Sequence, residues 1–375
     1  MIRRLQLANF RNYANLKMDL GSQKKIVVLY GSNGAGKTNI LEAISLMSES
    51  NGLRRARYDD MITVGTTGEQ SWNATITVDG SEFSTSYVKK EKVCRRVHQV
   101  NGKTIKNLAE FAKENYILWL TYETDRLFVQ SPANRRDFID MLCAAWNRSH
   151  SEYLRNYEKL ARERLDVLRK YRDREINEDI STWLSAIENK MADFGLRVAN
   201  ERVKLGKRLE ECQLKNGAFP EFTNEMTKIP LDYAANQTID TTLENYRSEL
   251  KNRRQRDAIT CMTTFGPNRS DWQVTHVQKK TAAALCSAGE QKMLLSGIFL
   301  AYVINGLKSD NRNLILLLDD VIAHLDGTHR SLLFDYLKML VRKEPNKINI
   351  WLSGTDKALF EDLADDAEFC EIGRR

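Results

Sequence analysis

Residues Gly31 to Thr38 read GSNGAGKT, and far downstream the carboxylates Asp319 and Asp320 close an apolar run from Leu314 to Leu318. A glycine-rich turn ending in a lysine and a hydroxyl residue suits a polyphosphate. Gly31, Gly34 and Gly36 let the backbone curl so that several N–H groups converge, and a helix starting there adds the positive end of its dipole. Lys37 can reach the β and γ phosphates, and the Thr38 hydroxyl can complete a magnesium shell. Asp319 is suited to hold that metal, directly or through water, and Asp320 to orient an attacking water. Taken singly, the loop could be an accidental glycine turn and the acids a hydrated strand end. Together in one chain they favour a nucleoside triphosphate site.

A third group is LCSAGEQ, Leu285 to Gln291. Ser287, Ala288 and Gly289 offer backbone donors and one hydroxyl at a helix start, which suits a γ phosphate. The simpler account is an N-cap followed by a core helix. Because the chain already has one phosphate loop, a second gripper makes most sense facing the nucleotide of another subunit.

These groups need particular elements to position them. The apolar run Ile26 to Leu29 before the loop, and Ile40, Leu41, Ala43, Ile44 and Leu46 after it, spell strand, loop and helix. Leu314 to Leu318 reads as a buried parallel strand whose C-terminal end opens on a ligand crevice. The two ends of the chain thus assemble one site, and the middle is an insertion. From about residue 134 to 214, Phe138, Leu142, Trp146, Tyr153, Tyr157, Leu160 and Leu168 recur at helical spacing, followed by Trp183, Ile187, Met191 and Leu196. Two long helices in a hairpin fit, with the turn in the charged stretch Tyr171 to Ile180. The aromatic stripe reads as core packing, since stacking on bases needs exposed rings. Charges fall on the outer helix faces. A break at Gly217 to Phe222 precedes a mixed segment and then a basic helix, Tyr246 to Ile259.

The chain has 57 basic and 50 acidic residues among 375, a formal charge of +7 that favours a nucleic-acid partner only weakly. Its bunching says more. Lys89, Lys90, Lys92, Arg95, Arg96, Lys103 and Lys106 lie in and after short alternating strands around residues 72 to 100, a basic ribbon suited to phosphates or, more simply, a solvated hairpin. Cys94, Cys143, Cys212, Cys261, Cys286 and Cys370 show no CxxC pair, so neither zinc nor a disulfide framework is expected, and Cys143 and Cys286 read as packed thiols. A strand begins almost at once and no apolar stretch reaches roughly 18 residues, so no signal peptide, membrane span or membrane partner is expected. The expectation is a cytoplasmic protein.

The segments LANFRNY (Leu7 to Tyr13), GSNGAGKTNILEAI (Gly31 to Ile44), AALCSAGEQK (Ala283 to Lys292), LLLDDVIAHLD (Leu316 to Asp326) and WLSGTD (Trp351 to Asp356) together resemble the RecF family of SMC-like, ABC-type DNA-repair ATPases. The resemblance spans nearly the whole chain. It implies an α/β fold, an ABC-type P-loop ATPase head with an inserted, mainly helical lobe containing a short antiparallel helical hairpin. The expected division is 1–120 for the first part of the head, 121–260 for the lobe and 261–375 for the rest of the head. Gly31, Ser32, Asn33, Gly34, Ala35, Gly36, Lys37, Thr38 and Asn39 would bind ATP, with Ser287, Gly289, Asp326 in the D-loop, and Thr355 sensing the γ phosphate. Asp319 and Thr38 would take Mg2+, and Lys37, Asp320 and Ser287 would serve hydrolysis. GLRRAR, Gly52 to Arg57, resembles an arginine-bearing segment of the family, adding Arg54, Arg55 and Arg57 as DNA candidates.

The resemblance further implies an ATP-dependent homodimer clamping duplex DNA or duplex/single-strand junctions, acting with RecO and RecR to load RecA at gaps. Three departures bear on it. Ala288 stands where the generic signature has glycine; Asp320 replaces a generic glutamate and is one methylene shorter, which suits slow hydrolysis; and Asn268 in GPNRSDW stands where the family usually has histidine. A tethering SMC-like ATPase would need insertion arms many heptads longer. An ABC transport ATPase would have a short helical insertion coupled to a membrane partner. A DNA-binding structural protein with a vestigial ATP site would be separated by its lack of ATP turnover.

Overall fold

Runs with and without polar alternation account for the sheets. The computed structural model describes the chain except for residues 22, 49, 51, 66–69, 91–92, 173–176, 215–216, 228–238, 324 and 374–375. It divides into one unit of Met1–Asp125 with Tyr302–Arg375 and a second of Arg126–Ala301. In chain order the first unit forms β1 (Ile2–Phe10), β2 (Tyr13–Asp19), β3 (Ile26–Tyr30), α1 (Lys37–Ser45), β4 (Gln70–Val78), β5 (Ser81–Lys90), β6 (Val93–Val100), β7 (Lys103–Ile105), α2 (Ala109–Glu114) and β8 (Asn115–Thr121). The second forms α3 (Pro132–Trp146), α4 (Ser149–Lys170), α5 (Glu178–Glu211), β9 (Phe222–Thr227), α6 (Ile239–Asn252), α7 (Arg254–Thr260), β10 (Asp271–His276) and β11 (Thr281–Ala282). The chain returns to the first unit within α8 (Ala288–Ser309), then forms β12 (Asn313–Asp319), α9 (Gly327–Lys343), β13 (Ile348–Gly354) and β14 (Ala367–Glu371).

Among its described residues the first unit holds two sheets. One is antiparallel in the order β2-β1-β4-β5-β6-β7; the other is parallel in the order β14-β3-β13-β12-β8. Leu314 to Leu318 are all at most 3% exposed, because a parallel strand with both faces covered has no polar side to show. Helix α1 lies between the sheets. Its Ile40, Leu41, Ala43 and Ile44 share one core with Leu7, Trp72 and Ile76 of the antiparallel sheet and with Val27, Leu29, Ile315, Leu317 and Trp351 of the parallel one. The loop before α1 is therefore fixed from both sides.

In the second unit, α4 and α5 form the expected hairpin; Asn177 caps α5 by accepting from Ile180 N at 3.0 Å. Part of the expected turn, residues 173–176, lies outside the described residues, as does 228–238 of the mixed segment. The first helical series is not one helix. It breaks at Asn147 and Arg148, and the break lets Asp140 of α3 meet His150 of α4 at 2.8 Å while Arg202 of α5 grips both carboxylate oxygens at 2.7 and 2.8 Å. Nor do all charges face outward. Arg164 is fully buried, bonded to Glu188 at 2.8 Å, Asp257 at 2.6 Å and Leu250 O at 2.7 Å, so α4, α5, α6 and α7 are held in one register. Removing one partner of such a set strands a buried charge.

The compact second unit runs past the expected boundary at residue 260, on to Ala301. The cause is strand pairing: β10 pairs antiparallel with β9, its Trp272 stacks on Phe138 at 5.9 Å, and its Asp271 takes a two-pronged ion pair from Arg135 at 2.7 and 2.9 Å. Asn268 is a packing residue here. It accepts from Tyr157 Oη at 2.8 Å and donates to Thr263 O at 2.9 Å, a task an amide performs with both ends. Cys143 is buried as expected, whereas Cys286 is only half-buried.

Candidate nucleotide site

The loop between β3 and α1 takes positive φ at Gly31 (146°), Gly34 (79°) and Gly36 (107°). Space as well as angle demands glycine. A Cβ at Gly31 would lie 2.3 Å from Ile372 O, and one at Gly36 would lie 2.4 Å from Tyr13 Oη. The LANFRNY turn thus supports the loop: Asn12 Nδ2 donates to Ala35 O at 3.1 Å, and Asn39 Nδ2 donates to Asn12 Oδ1 at 2.8 Å. Arg11, at φ 57°, places its guanidinium on the fully buried Glu42 of α1 at 2.6 and 2.8 Å. Ser32, Asn33 and Gly34 form the exposed rim, while Ala35 is buried.

Lys37 is 8% exposed and donates to Gly31 O at 2.7 Å and Ser32 O at 2.9 Å. Burial lowers its pKa, and the nearby charges of Asp320 and Asp319 oppose that shift. Thr38 Oγ1 donates to Asp319 Oδ1 at 3.0 Å. Ser353, at the end of β13, donates to the same oxygen at 2.7 Å and accepts from the Asp320 backbone N–H at 2.9 Å. Burial raises the Asp319 pKa against the pull of these two donors. Asp320 sits at φ 54°, and its Oδ1 is buried with no hydrogen-bond partner among the described residues. A buried carboxylate oxygen with nothing to accept from is the feature that a cation or a water completes. The donor set of one hydroxyl and adjacent carboxylates fits magnesium, which binds through few protein oxygens and otherwise uses phosphates and water.

The remaining expected residues separate. Thr355 is exposed just past β13. Asp326 caps α9, accepting from His329 N at 3.0 Å and pairing with His329 Nδ1 at 2.6 Å. In the second unit, Ser287 and Glu290 form a reciprocal cap on α8: Ser287 N donates to Glu290 Oε2 at 3.0 Å, and Glu290 N donates to Ser287 Oγ at 3.4 Å. Lys279 also pairs with Glu290. A Cβ at Gly289 would meet nothing within 4 Å, so the unit itself gives no packing reason for glycine there.

The DNA candidates lie in different surroundings. Arg96 does not face solvent as a phosphate contact would: its guanidinium donates to Thr85 Oγ1 at 3.0 Å, Tyr58 Oη at 2.9 Å and Leu46 O at 2.6 Å. It sits opposite buried Tyr87, whereas exposed Arg95 sits opposite Val88, since neighbours on a strand face opposite sides. Lys89 pairs with Asp59 at 3.3 Å. Arg54 donates to Asn39 Oδ1 at 2.7 Å and Glu42 Oε2 at 3.2 Å, and its charge reaches Asp319, so it belongs to the nucleotide side. Lys92 and the side chain of Lys90 lie outside the described residues. Arg55, Arg57, Arg95, Lys103 and Lys106 are exposed. Sequence reasoning missed Asn12, Arg11, Glu42 and Ser353 as site residues, although all four stand inside motifs that signalled the site.

This arrangement has known counterparts. The family model described as RecF/RecN/SMC N terminal domain matches residues 1–347. The "DNA replication and repair protein RecF" of Brucella suis biovar 1 (strain 1330) is 36% identical over 382 residues, spanning 99% of this chain and 94% of that protein. The protein of the same name from Rhizobium meliloti (strain 1021) is 35% identical over 376 residues, spanning 98% and 96%. Among solved structures, "the recombination mediator protein RecF-ATPrS in RecFOR pathway" is similar with a TM-score of 0.79 at 19% identity, over 100% of this chain and 96% of that one. A Smc head domain with a coiled coil and joint from Pyrococcus yayanosii gives 0.51 at 16%, over 100% and 95%. At those identities the two structures speak for the fold alone.

Proposed function

The chain belongs to the RecF family, and from that premise we propose that it is an ATP-dependent DNA-binding protein of DNA replication and recombinational repair, hydrolysing ATP to time its hold on DNA. The observation that carries the ATP site is the 3.0 Å bond from Thr38 to Asp319, which joins loop and strand across 281 residues of sequence. Thr38 and Asp319 would hold a magnesium ion, which when bound offsets the charge of the terminal phosphates. Lys37 exchanges its two loop carbonyls for phosphate oxygens, gaining charge-assisted bonds. Asp320 orients the attacking water and takes its proton on the oxygen that lacks a partner. Thr355, just beyond the strand end carrying Ser353, senses the γ phosphate. Asp320 is shorter than glutamate, so hydrolysis is slow and acts as a timer.

Ser287 and Gly289 act on the nucleotide of a second copy. The open space at Gly289 supports this, because glycine in a helix costs roughly 1 kcal/mol relative to alanine and its own unit does not need it. ATP then joins two heads, and hydrolysis releases them. Arg55, Arg57 and Arg95, all exposed, supply phosphate contacts on duplex DNA or duplex/single-strand junctions. RecR is the direct protein partner, with RecO and RecA in the same pathway. No helix among the described residues is long and apolar enough to cross a membrane, and we place the protein in the cytoplasm.

Lys37→Ala tests the reading. It removes the cation from the β and γ phosphates, so calorimetric titration is expected to record ATP affinity lower by roughly tenfold or more in a folded protein. Unchanged affinity would overturn the site.

A further inference from the structure

A groove of about 590 Å³ opens on the helical hairpin of the second unit, and no residue of the nucleotide motifs lines it. Its apolar floor is Leu160 of α4 and Phe194 of α5, both half-buried and packed on the cluster of Tyr157, Met191, Leu196 and Tyr246. That floor is an extension of a core and so holds its shape. Asn156, Asn189, Lys190 and Arg247 supply polar groups around it.

Charge on the wall is one-sided. Among the described residues neither Lys190 nor Arg247 has an ion-pair partner, and Arg247 Nε is buried without any hydrogen-bond partner. Among the described residues the wall has one acid, Asp193, already held by Arg197 at 3.0 and 3.2 Å. Lys159 at the edge is only loosely shared with Glu163 at 3.7 Å. Cations and amides above an apolar floor match a ligand that brings carboxylates and one large apolar group together.

We infer that this groove is a docking site for an acidic peptide segment of a partner protein, anchored by one aromatic or large aliphatic side chain. Its volume takes a few side chains, whereas a duplex presents a broad convex backbone and gains nothing from an apolar floor. Stacking of single-stranded bases requires exposed ring faces, but Phe194 is half-buried against Tyr153, ring centroids 6.4 Å apart. The carboxylates would satisfy Arg247 and Lys190 while the apolar side chain covers Leu160 and Phe194.

The test is fluorescence anisotropy on the full chain with a labelled peptide of four aspartates flanking one phenylalanine. Saturable binding is expected, weakened roughly tenfold by Lys190→Glu, a change on the exposed rim that does not disturb folding, and similarly by Arg247→Gln. Replacing the peptide's phenylalanine by serine is also expected to weaken it, and ATP turnover should stay at the parental rate throughout. Absent saturable binding, or equal binding by Lys190→Glu, would overturn the proposal. Displacement of the peptide by a short thymidine oligonucleotide that loses affinity through the same two variants would assign the groove to nucleic acid, and would overturn it too.

Discussion

Ser353 donates a hydrogen bond of 2.7 Å to Asp319 across neighbouring parallel strands. The same hydroxyl accepts from the backbone N–H of Asp320 at 2.9 Å, so one side chain holds the Asp319 carboxylate and the Asp320 backbone together. It is 2% exposed, and water cannot readily replace it. Ser353→Ala is expected to lower stability by about 1–3 kcal/mol, because it leaves the Asp320 N–H without its acceptor. ATP turnover should fall further than ATP binding. Urea unfolding beside steady-state hydrolysis checks this, and a parental turnover rate would remove Ser353 from the machinery.

The two acids should separate by mutation. Burial raises the Asp319 pKa above its ordinary value, so the folded state holds its proton more tightly than the unfolded chain does. Stability from this group is then greatest below the unfolded pKa and is lost as pH rises through the folded one. Asp319→Asn keeps an oxygen for Thr38 and Ser353 but removes the buried charge, so its thermal midpoint at neutral pH should exceed the parent's, with the gain shrinking in acid. Metal-dependent turnover should fall by roughly tenfold or more. A midpoint gain of the same size at every pH would contradict the linkage.

Asp320→Asn should behave differently. Asparagine tolerates the left-handed backbone at this position, φ 54°, so the turn survives while the proposed proton acceptor is lost. ATP binding should persist, hydrolysis should drop by about 100-fold or more, and an ATP-bound dimer should accumulate in sedimentation. Parental turnover would send the search for the base to Asp326, which now caps α9.

Residues whose roles come from local spacing could be read from the chain: GSNGAGKT must curl, and Leu314 to Leu318 must be buried. Ser353 could not, because its role follows from β13 lying beside β12 in a register that pairs Leu352 with Leu318. The break between α3 and α4 was hidden for a related reason. Helical periodicity continues through it, and what requires it is the meeting of Asp140, His150 and Arg202 from three helices. Arg96 was legible in principle, since adjacent strand residues face opposite ways, but which face is inward depends on Tyr58 and Leu46 from elsewhere. β10 joined the second unit through β9, a pairing between strands too short to signal each other.

Variants can divide the observed cap by Ser287 from its proposed contact with a partner's nucleotide. Ser287→Ala removes the cap on α8 and should lower stability by about 1 kcal/mol. Ser287→Arg puts a bulky cation where we propose that the partner's γ phosphate binds. It should block ATP-dependent dimers in sedimentation while leaving monomer ATP affinity unchanged. Equal dimerisation by the alanine and arginine variants would leave Ser287 as a cap only.

Arg95 and Arg96 are expected to part company, because one is exposed and the other spends its guanidinium on three internal acceptors. Arg95→Ala should leave folding unchanged and reduce the slope of log affinity against log salt by about 0.9, the value for one phosphate contact on duplex DNA. Arg96→Ala should instead lower stability by roughly 1–3 kcal/mol, since Thr85 of β5 and Leu46 O at the end of α1 lose a charged donor. Its salt slope should match the parent's wherever the protein is folded. Anisotropy with a duplex across a salt series in ATP, run beside urea unfolding, reads both effects. A parental slope for Arg95→Ala would move the DNA surface off this strand, toward Arg55 and Arg57 beyond α1; a reduced slope for Arg96→Ala would mean that its internal bonds open when DNA binds.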